Sequence, residues 1–234
     1  MKPGDSSGRT LVELSHVVRH GTVTYPGLPG PEISDHLTRE ASRDRYAPGT
    51  EFQIGRITLV ANTGTYLDAP FHRFAGGTDI AGLDLTRLVD VPGVRVDATA
   101  NGPGIGPEQF AAVPVTGRAV LIHTGWDVRW GTDGYGEPGH PFLTGAGARW
   151  LADQQPAVVG IDSVNIDDMA DGSRPAHTTL LDAGIPIVEH MTKLGDLPER
   201  GFRFHAAPVA VAGMGTFPVR AYALVDSGEA MIAR

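Results

Sequence analysis

Short apolar runs recur along the chain, each stopped by a glycine, a proline or a polar residue. Residues 119–124 and 157–161 are continuous aliphatic runs, the pattern of strands buried on both faces. Residues 93–97 alternate apolar and polar, as a half-buried strand does. Residues 11–15, 185–189, 202–204, 209–211 and 222–225 read as further strands. Residues 52–68 read as one long strand that passes through the run Ile57, Thr58, Leu59, Val60 and ends at Asp68. Helical signals are few. Thr144 is a natural N-cap for a helix through Ala148, Trp150 and Leu151. His177 precedes Leu180 and Leu181 in a second helical segment closed by Gly184. Strands separated by short helices predict an α/β fold, with a single domain over residues 10–234.

Between these elements lie stretches without period. Residues 25–31 carry three prolines and two glycines and form a loop. Residues 32–50 are charged and poor in apolar side chains, and are read as a solvated loop, with an exposed arm as the alternative. Residues 101–107 place glycines before a short helical piece, but two prolines remove donors and the dinucleotide pattern is missing, so they are a plain connection. Residues 125–141 form a long loop. Asp167, Asp168 and Asp171 fit no calcium-loop spacing and are read as a solvated loop. The 31 glycines and 18 prolines agree with a loop-rich architecture. A net charge of −8 argues against an electrostatic nucleic-acid binder. The absence of cysteine removes disulfides, zinc–thiolate sites and thiol nucleophiles. No apolar run is long enough for a membrane span. The polar residues 1–9 are read as a disordered leader on a cytoplasmic protein.

One stretch gathers reactive side chains. If residues 62–68 stay extended, Asn62, Gly64, Tyr66 and Asp68 share one face. Pro70 ends the strand and His72 follows the corner. A carboxylate and an imidazole so placed suit a metal ligand and a general base, although by themselves they read as a polar strand end. Asp68, His72, His177 and Glu189 all sit at strand ends or adjoining loops, where α/β folds place their chemistry. The remaining histidines, His190 included, have no spacing that singles them out. A Gly-x-Ser-x-Gly elbow and a zincin helix are both absent.

Residues 62–72 resemble a variant of the His-x-Gly-Thr-His-x-Asp-x-Pro-x-His signature of the cyclase family of metal-dependent hydrolases, which includes bacterial kynurenine formamidase and isatin hydrolase. The resemblance continues through Glu13-Leu14-Ser15, Tyr25-Pro26-Gly27, Thr124-Gly125-Trp126, Gly160-Ile161-Asp162-Ser163, His177 and Ile187-Val188-Glu189. It implies a central mixed β-sheet closing toward a barrel with outer helices. It implies that Asp68, His177 and Glu189 are metal ligands and His72 the acid/base; the expected cofactor is one divalent metal, zinc or manganese, with Tyr66 as a further candidate catalytic group that donates a hydrogen bond. Asn62 and Tyr66 stand where the family has two metal-binding histidines. Three outcomes are open on that departure: a single remaining ion, loss of the metal, or ligation of a hard metal by Asn62 and Tyr66. Tyr25, Pro26 and Trp126 are the expected substrate-binding residues. The implied function is hydrolysis of a small amide, lactam, ester or lactone by a homodimer or homotetramer. A natural-product cyclase, dehydratase or isomerase, and a non-catalytic small-molecule binder, are the alternatives.

Overall fold

The computed structural model describes residues 8–226. Thirteen strands run along these residues: β1 (Arg9–Glu13), β2 (Glu32–Leu37), β3 (Ile54–Thr58), β4 (Tyr66–Asp68), β5 (Val91–Asp97), β6 (Gly104–Ile105), β7 (Ala119–His123), β8 (Phe142–Leu143), β9 (Val158–Ile161), β10 (Ile187–Glu189), β11 (Arg200–His205), β12 (Thr216–Pro218) and β13 (Tyr222–Asp226). Three helices accompany them: α1 (Arg39–Ser42), α2 (Gly145–Gln154) and α3 (Pro175–Asp182). Nine strands form one mixed sheet in the order β1-β13-β11-β5-β7-β9-β10-β4-β12. Its middle, β5-β7-β9-β10, is parallel, and antiparallel pairs flank it on both sides.

The sheet curls strongly into a half-barrel, as expected for the fold class. Leu14 and Ser15 bridge across the curl. Leu14 N donates to Ala221 O, Thr192 N donates to Leu14 O, and Ser15 pairs with Met191. The two apolar faces of the parallel strands explain their continuous runs. Ala119, Leu121, Val158 and Val188 enter the core inside the curl. Val120, Ile122, Val159 and Ile187 face the second core, which holds Ala148 and Leu151 of α2 and Leu180 and Leu181 of α3. Thr144 caps α2 as its sequence position predicts, its hydroxyl accepting from Gly147 N.

Three expectations are corrected. The long strand over 52–68 is broken: β3 belongs to a separate ribbon with β2, and only β4 joins the main sheet. Local bonds cause the break. Thr63 donates to Val60 O, Gly64 N donates to Thr24 Oγ1, and Gly64 takes a φ of +67°. The solvated loop over 32–50 contains β2 and α1 and forms most of an arm whose Ile33, Phe52, Ile54 and Ile57 are exposed. Residues 209–211 are not a strand, because Pro208 and Gly213 bracket them and Val209 lies in solvent; the closing strand is β12 instead. The leader expected over 1–9 lies outside the described residues up to residue 7, and Arg9 already opens β1. Among the described residues, no helix is long and apolar enough to cross a membrane.

Candidate active site

The register of three neighbouring strands assembles the site. β4 lies between β10 and β12, with Tyr66 opposite Glu189 and Asp68 opposite Thr216. Directly opposed residues share a face, so four polar side chains from three distant segments point the same way. Tyr66 Oη donates to Glu189 Oε2 at 2.8 Å, and the Thr216 hydroxyl donates to Asp68 Oδ1. α3 adds His177 from its first turn.

Asp68, His177 and Glu189 meet as the sequence predicts. His177 Nε2 lies 3.6 Å from Asp68 Oδ2 and 3.7 Å from Glu189 Oε2. Two ligands about 2.1 Å from a tetrahedral ion stand about 3.4 Å apart, so these spacings suit a shared cation. Asp68 is fully buried, and its Oδ2 has no hydrogen-bond partner among the described residues. A buried carboxylate oxygen left bare in this way calls for a cation.

Asp167 supports the cluster from behind and corrects the solvated-loop reading. It is buried, and it accepts from Ala176 N and His177 N at the start of α3. Its Oδ2 also accepts from His177 Nδ1 at 2.7 Å. With the proton held on Nδ1, the Nε2 lone pair faces Asp68 and Glu189. Burial by itself would lower the His177 pKa, but Glu189, Asp167 and Asp68 overcome it and raise it well above the usual imidazole value. Burial likewise pushes Glu189 up, and His177 more than reverses this to about 2. The pocket therefore favours positive charge at Nε2, as a proton or as a metal ion.

His72 occupies the open side of the same group. One ligand atom from each of Asp68, His72 and His177 lies within 4.8 Å of the others. Thr216 decides its tautomer: the hydroxyl gives its proton to Asp68 Oδ1 and accepts from His72 Nδ1 at 2.8 Å, which leaves Nε2 with a free lone pair. Gly215 makes the approach possible, since a Cβ there would lie 2.5 Å from the His72 backbone N and Cα.

Tyr66 and Asn62 form a neutral pair beside the cation position. Burial, then Glu189 and Asp68, raise the Tyr66 pKa well above the usual phenol value, and the neighbouring Asn62 amide opposes that rise. His190 Nε2 lies 3.3 Å from Tyr66 Oη, and Tyr135 Oη lies 2.8 Å from His190 Nδ1. Burial holds His190 neutral, with a pKa of about 4. One direction satisfies the chain: Tyr135 donates to His190 Nδ1, His190 Nε2–H donates to Tyr66, and Tyr66 donates to Glu189. The phenol proton is thus directed at Glu189 and not into open space.

A cavity of about 390 Å³ opens over the group, lined by Tyr25, Pro26, Leu28, Asn62, Tyr66, His72, Arg73, Asn165, Arg174, His177 and Glu189 among others. Tyr25 and Pro26 are where the sequence reading puts them. Trp126 is not: its indole N–H donates to Tyr135 O and the Arg129 guanidinium lies over its ring, so it braces its own loop.

The Cyclase family model matches residues 12–168. A kynurenine formamidase of Salinibacter ruber is 29% identical over 212 residues, covering 90% of this chain and 95% of its own. One from Bacillus cereus is 26% identical over 213 residues, with the same coverage of 90% and 95%. A solved protein described as a potential metal-dependent hydrolase with cyclase activity superposes with a TM-score of 0.76 at 27% identity, over 92% of this chain and 98% of its own. An isatin hydrolase bound to the product analogue thioisatinate shares the fold, with a TM-score of 0.80 at 24% identity over 94% of each chain. With two thirds of its length inside the family model, the chain belongs to the cyclase family.

Proposed function

We propose that the protein hydrolyses a small amide or ester with the help of one divalent ion, zinc or manganese, held by Asp68, His177 and Glu189. The observation that carries this reading is the buried, unpartnered Asp68 Oδ2 facing His177 Nε2. The kynurenine formamidase relatives and the metal-dependent hydrolase neighbour support the same reaction class. When bound, the ion supplies Lewis-acid polarisation of a carbonyl oxygen and a lower pKa for water. His72 Nε2 takes a proton from the attacking water and returns it to the leaving nitrogen or oxygen. Thr216 holds that imidazole in the required tautomer, and Asp167 does the same for His177. Tyr66 fixes Glu189, a different role from the expected donation to a developing oxyanion, because its proton already points at Oε2. A neutral phenol and amide beside the cation position suit one ion better than two. Tyr25, Pro26 and Leu28 form the less polar wall that receives the body of the substrate.

Metal analysis tests this reading first. The purified protein carries about one equivalent of zinc or manganese. Stripping the ion abolishes turnover of an N-formyl aryl amide, and adding it back restores turnover. A protein that takes up neither metal refutes the proposal, as does unchanged turnover in His72→Ala. Self-association through the β2–β3 ribbon belongs to the same reading, since Ile33, Phe52, Ile54 and Ile57 stand exposed there. A monomeric mass in solution removes that part.

A further inference from the structure

We propose that Arg174 anchors an anion subsite in the catalytic cavity, and that the molecule turned over there carries a carboxylate. This deepens the hydrolase reading and rests on it for the word substrate; the binding site itself stands on the geometry alone.

Arg174 lines the same cavity as His72 and His177, directly before α3. A guanidinium is always charged. Of the sixteen described arginines, Arg9, Arg43, Arg95, Arg203 and Arg220 pair with a carboxylate within 3.0 Å and eleven do not, and of those eleven only Arg73 and Arg174 line the catalytic cavity. Arg174 has no carboxylate within 4.0 Å among the described residues, in a chain of net charge −8. Its hydrogen bonds go to neutral acceptors and are long: Asn165 Oδ1 at 3.4 Å, Asp168 O at 3.3 Å and Tyr25 Oη at 3.4 Å. Two acids close in sequence are turned elsewhere. Asp168 Oδ1 accepts from Ala170 N, and Asp171 Oδ1 accepts from Ser173 N and its hydroxyl. Asp171 feels the Arg174 charge only as the last of several influences.

The surroundings are donors. The Asn165 Oδ1 accepts from Asp167 N as well as from Arg174, which turns its NH₂ the other way. Tyr25 offers its phenol O–H and lines the cavity beside Arg174. A guanidinium and a phenol O–H side by side on one wall suit a planar oxyanion, and the guanidinium fork suits a carboxylate in two-point contact. The helix N-terminus is not the receptor, because Asp167 already occupies its first N–H groups. Arg174 also holds a φ of +49°, a conformation that L side chains rarely adopt and that tends to persist where function requires it. The remaining charges agree. Arg73, which donates to Thr178 Oγ1 and lies over the Phe74 ring, adds a second guanidinium with no carboxylate partner among the described residues to the same cavity wall. The mouth thus carries two guanidinium groups without a carboxylate partner among the described residues, which favours an anionic guest.

Benzoate and its uncharged isostere benzamide test the site, by calorimetric titration of the zinc-loaded protein and of the metal-free protein. Benzoate binds about 10-fold or more tightly than benzamide in both states, as expected for a charge-assisted two-point contact. Arg174→Gln removes that preference, and Arg174→Lys keeps only part of it because the fork is lost. Tyr25→Phe, which leaves α3 untouched, reduces the preference and serves if the Arg174 variants do not fold. Equal affinity for the two probes overturns the proposal. So does a preference confined to the zinc-loaded protein or retained in Arg174→Gln, which places the carboxylate on the metal centre. Absence of benzoate binding at about 10 mM also overturns it. The two readings fail separately: a protein with no turnover that still prefers benzoate loses the hydrolase assignment and keeps the subsite, and the converse result does the opposite.

Discussion

Asp167→Asn changes one oxygen to an amide nitrogen, yet it should cripple the metal centre. In the native chain both Asp167 oxygens only accept: Oδ1 from Ala176 N, Oδ2 from His177 N and from His177 Nδ1 at 2.7 Å. The two backbone donors are fixed at the start of α3 and cannot reverse. Each oxygen position faces one of these donors, so an asparagine NH₂ must oppose Ala176 N or His177 N, and the orientation that turns it toward His177 is the one that bears on the metal. That NH₂ donates to Nδ1 and drives the imidazole proton to Nε2, the atom that faces Asp68 and Glu189. Losing such a supporting carboxylate lowers metal affinity about 10–100-fold, or about 1.4–2.8 kcal/mol. Weaker capping of α3 subtracts a further ~1 kcal/mol of stability. The assay is a competition titration of stripped protein with zinc against a chelator of known affinity, with thermal unfolding followed in parallel. Asp167→Ala supplies the control, because it removes the acceptor without offering a donor. The tautomer argument requires Asn to be at least as harmful as Ala. Zinc affinity within about 2-fold of wild type, or an Asn variant clearly better than Ala, refutes it.

Other outcomes follow from the same geometry. His177 is held protonated well above the usual imidazole range by its carboxylate neighbours, so an incoming ion must displace that proton. Zinc binding at neutral pH then releases about one proton and weakens about tenfold per unit as pH falls; calorimetry in buffers of different ionisation enthalpy measures this, and zero release contradicts it. Thr216→Val keeps the shape but removes the hydroxyl between Asp68 Oδ1 and His72 Nδ1. Turnover should drop about 100-fold while the metal stays bound, and unchanged kcat would rule out Thr216 as the group that positions His72. Gly215→Ala drives a methyl to within 2.5 Å of the His72 backbone, so it should cost about 1–3 kcal/mol on thermal unfolding and most of the activity.

What the sequence made legible was chemistry next to a strong local signal. The continuous runs of β7 and β9 revealed buried parallel strands, and strand ends marked Asp68 and Glu189. What it hid depends on register. Thr216 matters only because β12 lies beside β4, and Tyr66 meets Glu189 only because β4 lies beside β10. Neither pairing leaves a trace in residue spacing. Asp167 sat in an acidic cluster that looked solvated, and only the docking of α3 buries it. His190 follows Glu189 in the chain, but it acquires a role through a φ of +53° that no periodicity predicts. The long strand over 52–68 failed because threonine hydroxyls compete locally with ladder bonds around Gly64.

The position of β4 between β10 and β12 also sets an order of events. Asp68 and Thr216 are 148 positions apart, and Tyr66 and Glu189 are 123 apart. Leu14, near the start, bonds Ala221, near the end. Contacts of such separation close late, after the chain-entropy cost of long loops has been met by the local parallel strands. On the ribosome, β5, β7 and β9 can pair while β12 is still unsynthesised, but Asp68 cannot receive its threonine. The centre is therefore finished late, and a nascent chain released before residue 216 would pair β11-β5-β7-β9-β10-β4 without the threonine that positions His72.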